Sequence, residues 1–162
     1  MRVISEKARI SPLADIEDSV TGSCIVIEPE VTIDAFVKIK PAGGSGDVRI
    51  GRGSYINSGV VIYSGNGVDI GEDVLIAANC TLAPVNHAFE SKDSKIVSQG
   101  FQPSKGGIVI ESDVWVGANA VILDGAILRQ GCVVGANALV NRELRPYSIN
   151  IGSPAKQVGR RS

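Results

Sequence analysis

A period of six residues runs through this sequence and constrains the fold more than any other feature. From Ile110 onward an aliphatic residue returns at every sixth position, and a small or modest side chain follows four residues after each of the first five. The aliphatic positions are Ile110, Val116, Ile122, Leu128, Val134 and Val140. This spacing matches neither the helical period of about 3.6 nor the alternation of a long strand, so each hexad is predicted to be a short strand followed by a turn.

The same register appears earlier and spans nearly the whole chain. Clear copies begin at Ile50, Ile56, Ile62, Ile70, Ile76 and Leu82, and weaker ones at Ile10, Ile16, Ile27 and Ile33. Glycine follows the aliphatic residue at 51, 71, 117 and 135, and asparagine occupies the fourth position at 79, 119 and 137. Gly and Asn are the residues that best tolerate a turn with positive φ. We therefore predict an all-β, parallel β-helix in which three strands close one triangular coil, as a single domain over residues 1–162 with a short C-terminal tail.

Composition and charge narrow the classes of function. The formal net charge of −1 argues against nucleic acid or an anionic membrane as a partner, because such binders carry a broad basic excess. Cys24, Cys80 and Cys132 are too scattered for a disulfide framework or a CxxC metal site. No stretch resembles a signal peptide or a membrane span. We expect a cytoplasmic protein that acts on a small molecule.

The hexads are interrupted once, by an insertion that protrudes over about residues 83–107. A loop of this length without a periodic pattern is typical of a functional segment. It contains His87, the only histidine of the chain. A neutral imidazole with a pKa near 6.5 can take a proton from an attacking hydroxyl or amine, so His87 is a candidate general base. A surface histidine without a role is the alternative.

Three segments carry a resemblance to the hexapeptide-repeat acyltransferases. They are IGEDVLIAANCTLAPVNHAFE, IVIESDVWVGANAVILDGAILRQGCVVGANALV and INIGSPAKQV. The resemblance covers roughly residues 50–158 and is strongest to sugar and polysaccharide O-acetyltransferases such as the galactoside and maltose acetyltransferases. It implies a left-handed β-helix, which periodicity alone does not fix, together with acetyl-CoA as co-substrate and a homotrimer whose active sites lie between subunits. In that family a TL-x-x-x-H segment supplies the catalytic base, and TLAPVNH puts His87 at this position.

The resemblance also suggests residues around the base, each with a simpler alternative. Glu90 would orient or stabilise the imidazolium, or is a solvated loop charge. Asn57 would contact the acceptor, or is a turn asparagine; a further acidic acceptor contact of the family is replaced here by the Ser-Gly-Asn of residues 64–66. Trp115 would form a wall of the active site beside the pantetheine arm of the cofactor, or is an interface residue. Phe101 would stack on a sugar ring, or anchors the loop.

Turns and the C-terminal tail are the predicted cofactor site. Small turn residues let a pantetheine chain approach the backbone closely, and a local excess of cations over the single acid of the tail can hold phosphates. Lys156 in GSPAK is the first choice for the phosphates and Arg160 the second, with a solvated basic tail as the alternative. The predicted cofactor-binding set is Trp115, Gly117, Ala118, Gly135, Ala136, Lys156 and Arg160.

The resemblance implies direct acetyl transfer to a saccharide hydroxyl, such as that of a bacterial surface-polysaccharide precursor. An acyl-cysteine route is disfavoured because Cys80 and Cys132 occupy inward slots. No metal is expected, since one histidine cannot supply the three ligands of a γ-type carbonic anhydrase. Two alternatives stay open: an N-acetyltransferase acting on an amino sugar, and a β-helical scaffold without catalysis.

Overall fold

Short strands fill the computed structural model, which describes residues 1–162 and shows six successive coils of three strands each. Coil 1 has β1 (Arg2–Ile4), β2 (Arg9–Ile10) and β3 (Asp15–Ile16), and coil 2 has β4 (Ile25–Ile27), β5 (Thr32–Ile33) and β6 (Lys38–Lys40). Coil 3 has β7 (Val48–Ile50), β8 (Tyr55–Ile56) and β9 (Val61–Tyr63), and coil 4 has β10 (Val68–Ile70), β11 (Leu75–Ile76) and β12 (Thr81–Ala83). After α1 (Ile96–Gln99), coil 5 has β13 (Ile108–Ile110), β14 (Trp115–Val116) and β15 (Val121–Leu123), and coil 6 has β16 (Ile127–Leu128), β17 (Val133–Val134) and β18 (Leu139–Val140). The chain ends with β19 (Glu143–Leu144), β20 (Ser148–Ile151) and β21 (Lys156–Arg160).

Corresponding strands of successive coils pair in parallel and form three sheets, which are the faces of the helix. Sheet A has the order β1-β4-β7-β10-β13-β16-β19, sheet B has β2-β5-β8-β11-β14-β17-β20-β21, and sheet C has β3-β6-β9-β12-β15-β18. Only the last strand of sheet B, β21, runs antiparallel to its neighbour. The predicted all-β helix of hexads is therefore confirmed, including the weak copies at Ile10 and Ile16, which lie on β2 and β3.

The register stacks the aliphatic residue of each hexad on its counterpart in the next coil. On sheet A, Ile27 pairs with Ile50, and Ile50 with Ile70. These side chains are almost fully buried, as are their equivalents on the other two faces. Burial of each of these side chains stabilises the folded state by roughly 1.5–3 kcal/mol. The small residues of the hexads, Val74, Cys80, Ala120, Ala126 and Cys132 among them, are also buried and fill the corners of the triangle.

Turn residues meet two different backbone demands. Asn79, Asn119 and Asn137 all have φ near +60°, as the sequence predicted for the fourth position of the hexad. Gly51 has no such φ; it lies so close to the next coil that an added Cβ would be 2.5 Å from the carbonyl carbon of Gly71. Coil stacking, rather than backbone conformation, requires glycine there.

Every insertion into the coils emerges from the same edge of the helix, where sheet C leads into sheet A. We call the segments 41–47, 64–67 and 83–107 at this edge the loop corner. They bond to one another through their backbones: Gly65 N–H donates to Ala42 O at 3.0 Å, and Asn66 N–H to Pro84 O at 3.1 Å. The long insertion therefore rests on a layered base. The only helix of the chain, α1, lies in this insertion, and no helix of the protein is long and apolar enough to cross a membrane.

Replacing Gly51 by alanine is expected to destabilise the stacked coils, because the new methyl group would overlap the backbone of the coil above. We expect a loss of about 2 kcal/mol, typical of overpacking, measured by urea unfolding. Gly159→Ala is the matched control, since its Cβ would find only ordinary contact at 3.7 Å from Ile149 Cδ1. Equal stability of the two variants would contradict this account of the turn.

Candidate active site

His87 lies on one arm of an antiparallel hairpin at the base of the long insertion. Ala88 N–H donates to Gly100 O at 3.0 Å, and Gln102 N–H donates to Asn86 O at 2.8 Å. His87 itself faces Phe101 across the hairpin, with ring centroids 4.8 Å apart and planes tilted by 38°. The pairing fixes the backbone of His87, and the phenyl ring restricts its imidazole. A flexible loop would have offered neither constraint.

The imidazole of His87 borders a cleft of about 340 Å³ at the loop corner. The residue is exposed, and neither ring nitrogen is hydrogen-bonded within the chain, so one nitrogen is free to accept a proton from a ligand. The lining of the cleft is otherwise apolar or aromatic: Ala42, Gly43, Tyr63, Ala83, Val85, His87 and Phe101. An exposed, unpaired imidazole beside a small cleft has the geometry that a general base requires.

Small residues open this cleft, and the sequence did not reveal them in advance. Ala83 is the register neighbour of Leu123 above it, and its strand pairs below with that of Tyr63. Gly43 lies directly beneath Val85, where an added Cβ would be 2.7 Å from Val85 Cγ1. The one sequence feature that could have revealed them is the glycine-rich stretch that lengthens coils 2 and 3. In the hexad pattern this stretch appears only as a break.

The structure does not bring Glu90 to His87. The Glu90 carboxylate instead accepts hydrogen bonds from Phe89 N–H at 3.0 Å and from Gln102 Nε2 at 2.6 Å. Its own backbone N–H and that of Phe89, followed by the Gln102 amide, hold the pKa of the Glu90 carboxyl below its usual range. Glu90 therefore braces the two arms of the hairpin, and its predicted role as partner of the imidazole has no contact to support it in this geometry.

Asp124 holds the returning end of the insertion, a role that the sequence analysis missed. Its side chain is only 3% exposed. The carboxylate accepts hydrogen bonds from Lys105 N–H at 2.8 Å, Gly107 N–H at 2.9 Å and Asn66 Nδ2 at 3.1 Å. A buried carboxylate is stable there because three donors replace its water. Asp124 thus joins the long insertion to the shorter one of coil 3.

The other predicted site residues lie elsewhere on the same chain. Asn57 occupies a turn between sheets B and C, and its amide donates to Ile76 O at 2.9 Å. We call the turns between these two sheets the far corner. The predicted pantetheine-binding residues lie at the same far corner, in the turns that follow β14 and β17: Gly117, Ala118, Gly135 and Ala136. Glycine at 117 has a structural cause as well, since an added Cβ would be 2.6 Å from Ala136 N.

Trp115 projects outward from sheet B and is 52% exposed, as its place in the hexad predicted. It pairs in register with Leu75 and Val133, so the indole belongs to an apolar strip on this face. Sheet B is the face opposite the loop corner. Within one chain, therefore, Trp115 and the far corner are separated from His87 by the body of the helix.

Most cations of the C-terminal tail form no ion pair within the chain, and one of them does. Lys156 shares a cleft of about 420 Å³ with Arg142 and Arg145 at the C-terminal end, and none of the three forms an ion pair. Arg160, at the other end of β21, is exposed and also without an ion pair. Arg161 bonds to Asp113 Oδ2 at 2.8 Å and is committed to the fold. Arg142 and Arg145, which belong to the predicted basic tail, therefore stay candidates for holding phosphate beside Lys156.

Both inward cysteines are unsuited to nucleophilic attack. Burial raises the pKa of the Cys80 thiol, whose Sγ lies 3.1 Å from Gly117 O. Burial, followed by the charge of Glu111, raises the pKa of Cys132 to about 12. Thiolates at these positions are therefore scarce near neutral pH. The chain also contains no group of three His, Cys, Asp or Glu side chains arranged to hold a metal ion.

Comparison with known families accounts for the repeat. Residues 107–142 match the profile of the bacterial transferase hexapeptide (six repeats), and residues 47–84 match the hexapeptide repeat of succinyl-transferase. These matches identify the repeat of this chain as that of the hexapeptide-repeat transferases. The two matched segments lie on either side of the long insertion and so flank the candidate site.

Individual relatives and structures agree with this assignment. Over 112 residues the chain is 30% identical to galactoside O-acetyltransferase of Escherichia coli, which covers 69% of this chain and 53% of that enzyme. A hexapeptide-repeat acetyltransferase from Vibrio cholerae, solved with acetyl coenzyme A, is similar at 27% identity with a TM-score of 0.70, covering 87% of this chain and 72% of that one. The N-acyltransferase AntD from Bacillus cereus, solved with dTDP and coenzyme A, has a TM-score of 0.82 at 22% identity, covering 99% and 84% of the two chains. These structures confirm the predicted left-handed winding of the β-helix.

The chain spans about half the length of the curated relatives it matches. It covers 53% of the galactoside enzyme and 38% of a probable acetyltransferase of Mycobacterium tuberculosis.

Removing the Asp124 carboxylate is expected to loosen the base of the insertion. Asp124→Ala leaves three donors without their acceptor, of which Gly107 N–H is buried and the other two are partly buried, and this costs about 2 kcal/mol. Hydrogen exchange should rise first at the amides of Lys105 and Gly107, before the coils unfold. Asp69→Ala is the control, because its exposed ion pair with Arg49 is worth at most about 1 kcal/mol. Unchanged exchange at the two amides would refute the anchoring role.

Proposed function

We propose that this protein is an acetyl-CoA-dependent acetyltransferase that transfers an acetyl group to a hydroxyl of a saccharide, with His87 as the general base. One observation carries the proposal: an exposed imidazole with free nitrogens, held against Phe101 at the edge of a small cleft. The similarity to galactoside O-acetyltransferase and to a Vibrio cholerae acetyltransferase solved with acetyl coenzyme A supports the reaction class.

The chain's own residues would perform the proton transfers. Acetyl-CoA, when bound, supplies the acetyl group as a thioester. His87 accepts the proton of the acceptor hydroxyl while its oxygen forms a bond to the acetyl carbon, and returns that proton to sulfur as the carbon–sulfur bond breaks. A backbone N–H would stabilise the negative charge on the carbonyl oxygen between these events. The raised pKa of the Cys132 thiol, together with its burial, favours this direct route over an acyl-cysteine.

The residues present are suited to a long, anionic co-substrate. Ala118 and Ala136 have small side chains, so a ligand can approach the backbone of the far corner closely. Trp115 offers an exposed apolar wall on the adjoining face. Lys156, Arg142 and Arg145 provide unpaired cations at the C-terminal end, where phosphates can be neutralised. Arg160 stays a second candidate on the opposite end of β21. These residues, with Gly117 and Gly135 in the turns, are the proposed cofactor site.

A homotrimer would reconcile the two distant parts of the site. The base lies at the loop corner and the proposed cofactor residues at the far corner and on sheet B, so one chain cannot present them to the same substrate. Packing the helices side by side would bring the loop corner of one subunit to the far corner of the next. The half-exposed apolar strip around Trp115 and Leu75 is a surface that such packing would cover. Asn57, at the far corner, would then reach an acceptor only across this interface.

Thiol release from acetyl-CoA across a panel of sugars and amino sugars tests the reaction. We expect release that depends on a sugar and that falls by about 100-fold or more in His87→Ala, as for loss of a general base. Lys92→Ala, an exposed change in the same insertion, is the control and should match the wild type. Equal turnover of wild type and His87→Ala would refute the base. An absence of both thiol release and acetyl-CoA binding would favour a scaffold instead, and a preference for amino sugars would favour N-acetylation.

Subunit complementation tests the shared site. His87→Ala removes the base, and Ala136→Trp fills the proposed groove from an exposed position. Refolded together, the two inactive variants should recover activity at about a quarter of the sites, those that combine an intact base with an intact groove from the next subunit. Each variant refolded alone is the control. No recovery from mixed trimers would mean that base and groove act within one chain.

A further inference from the structure

The cleft beside His87 is lined without a single charged side chain. Its only polar side-chain groups are the imidazole of His87 and the phenol of Tyr63; the remaining lining is aliphatic, glycine or the ring of Phe101. The nearest cation in register, Lys40, lies one strand below Tyr63 and is directed to Glu17, with Nζ 3.9 Å from Oε1. The chain's own part of the cleft therefore offers a ligand no cation.

The acceptor must occupy this space if His87 is the base. A general base works within hydrogen-bond reach of the proton that it removes. His87 borders no other cavity of the chain, so the reacting hydroxyl has to lie in the cleft with the rest of the acceptor against its walls. The composition of those walls then limits which acceptors fit.

Two aromatic rings border the part of the cleft where the acceptor hydroxyl would lie. Phe101 stacks on the imidazole from the opposite arm of the hairpin and is 50% exposed, so part of its ring is available to a ligand. Tyr63 extends outward from the end of β9 and is half-buried beside the small side chain of Ala83. Aromatic surfaces of this kind gain free energy by covering apolar groups. A charged phosphate in the same place would lose its water without a compensating partner.

We propose that this cleft selects uncharged saccharides that carry an apolar face or substituent, and rejects nucleotide-linked sugars, with Tyr63 and Phe101 as the specificity-determining residues. The inference rests on the proposed function, since it takes the cleft to be the acceptor site. Phe101 also positions His87, whereas Tyr63 does not touch the base, so Tyr63 gives the cleaner test.

The test compares phenyl and methyl glycosides of galactose and glucose with the corresponding UDP-sugars. Affinity is measured by calorimetry on the full chain saturated with coenzyme A, and KM and kcat by thiol release. For at least one sugar we expect the phenyl glycoside to bind about tenfold more tightly than the methyl glycoside, and the UDP-sugar to bind no better than the methyl form. Tyr63→Ala should abolish the phenyl preference through KM while kcat stays near the wild-type value. Tyr63→Phe should retain it.

Control variants separate specificity from folding and from chemistry. Phe89→Ala removes an exposed ring from the same insertion that lines no cavity, and should leave both affinity and turnover unchanged. Phe101→Ala should raise KM and also lower kcat, because the imidazole loses its stacking partner. Thermal unfolding of Tyr63→Ala checks that its coil remains intact.

The outcomes distinguish this inference from the function on which it rests. Thiol release with sugars but no phenyl preference, or tightest binding of a UDP-sugar, overturns the inference and leaves the acetyltransferase standing. A phenyl preference that survives in Tyr63→Ala also overturns it. Failure of every glycoside to bind overturns it too. A Tyr63-dependent phenyl preference in binding without any thiol release would support the apolar selectivity of the cleft and count against the catalytic function alone.

Discussion

The stacking of each coil on the next is the constraint on which the rest of this structure depends. Parallel backbone pairing fixes the spacing between coils at about 4.8 Å, and this spacing leaves room for one inward aliphatic side chain per face and per coil. It also explains why turns carry glycine where a neighbouring backbone passes, as at Gly51. A side chain added there disturbs two coils, because each coil supports its neighbour. Positive φ is a separate demand, met by asparagine at Asn119 and also by Phe36 and Tyr147.

The stacked coils also support the loop that carries His87, the proposed base. The hairpin of the insertion begins and ends on the ordered strands β12 and β13, and it is bonded to the shorter insertions below it. Asp124, in the turn after β15, joins the returning arm from above. Glu90 and Gln102 connect the two arms. The backbone that carries His87 is therefore held by hydrogen bonds within the hairpin and at its base, although the nitrogens of the imidazole remain free.

Much of the fold could be predicted because the hexad is a strictly local pattern. The six-residue spacing alone predicts that Ile50 and Ile70 point inward, and the same spacing predicts that Trp115 points outward. The site could be predicted only in part. His87 is recognisable as the lone histidine of a long insertion, but spacing carries no information on what lies across a corner. The contacts of Glu90 with Gln102 and of Asp124 with Lys105 join residues far apart in the chain, and the small residues that open the cleft belong to breaks in the pattern. The resemblance predicted sites shared between subunits, and the structure places His87 and the predicted cofactor turns at different corners of one chain.

The antiparallel strand β21 has a consequence for the ends of the helix. A parallel β-helix leaves unpaired backbone groups on its last coil, and a second helix could extend the sheets by adding a parallel strand there. β21 folds back onto β20 and occupies that edge of sheet B, and it carries the exposed charges of Lys156 and Arg160, which discourage a further strand from pairing with it. Extension of sheet B at this end is thereby opposed. The flanks of the helix are left as the surface for the proposed trimer, whose closed ring has a natural limit that a fibre lacks.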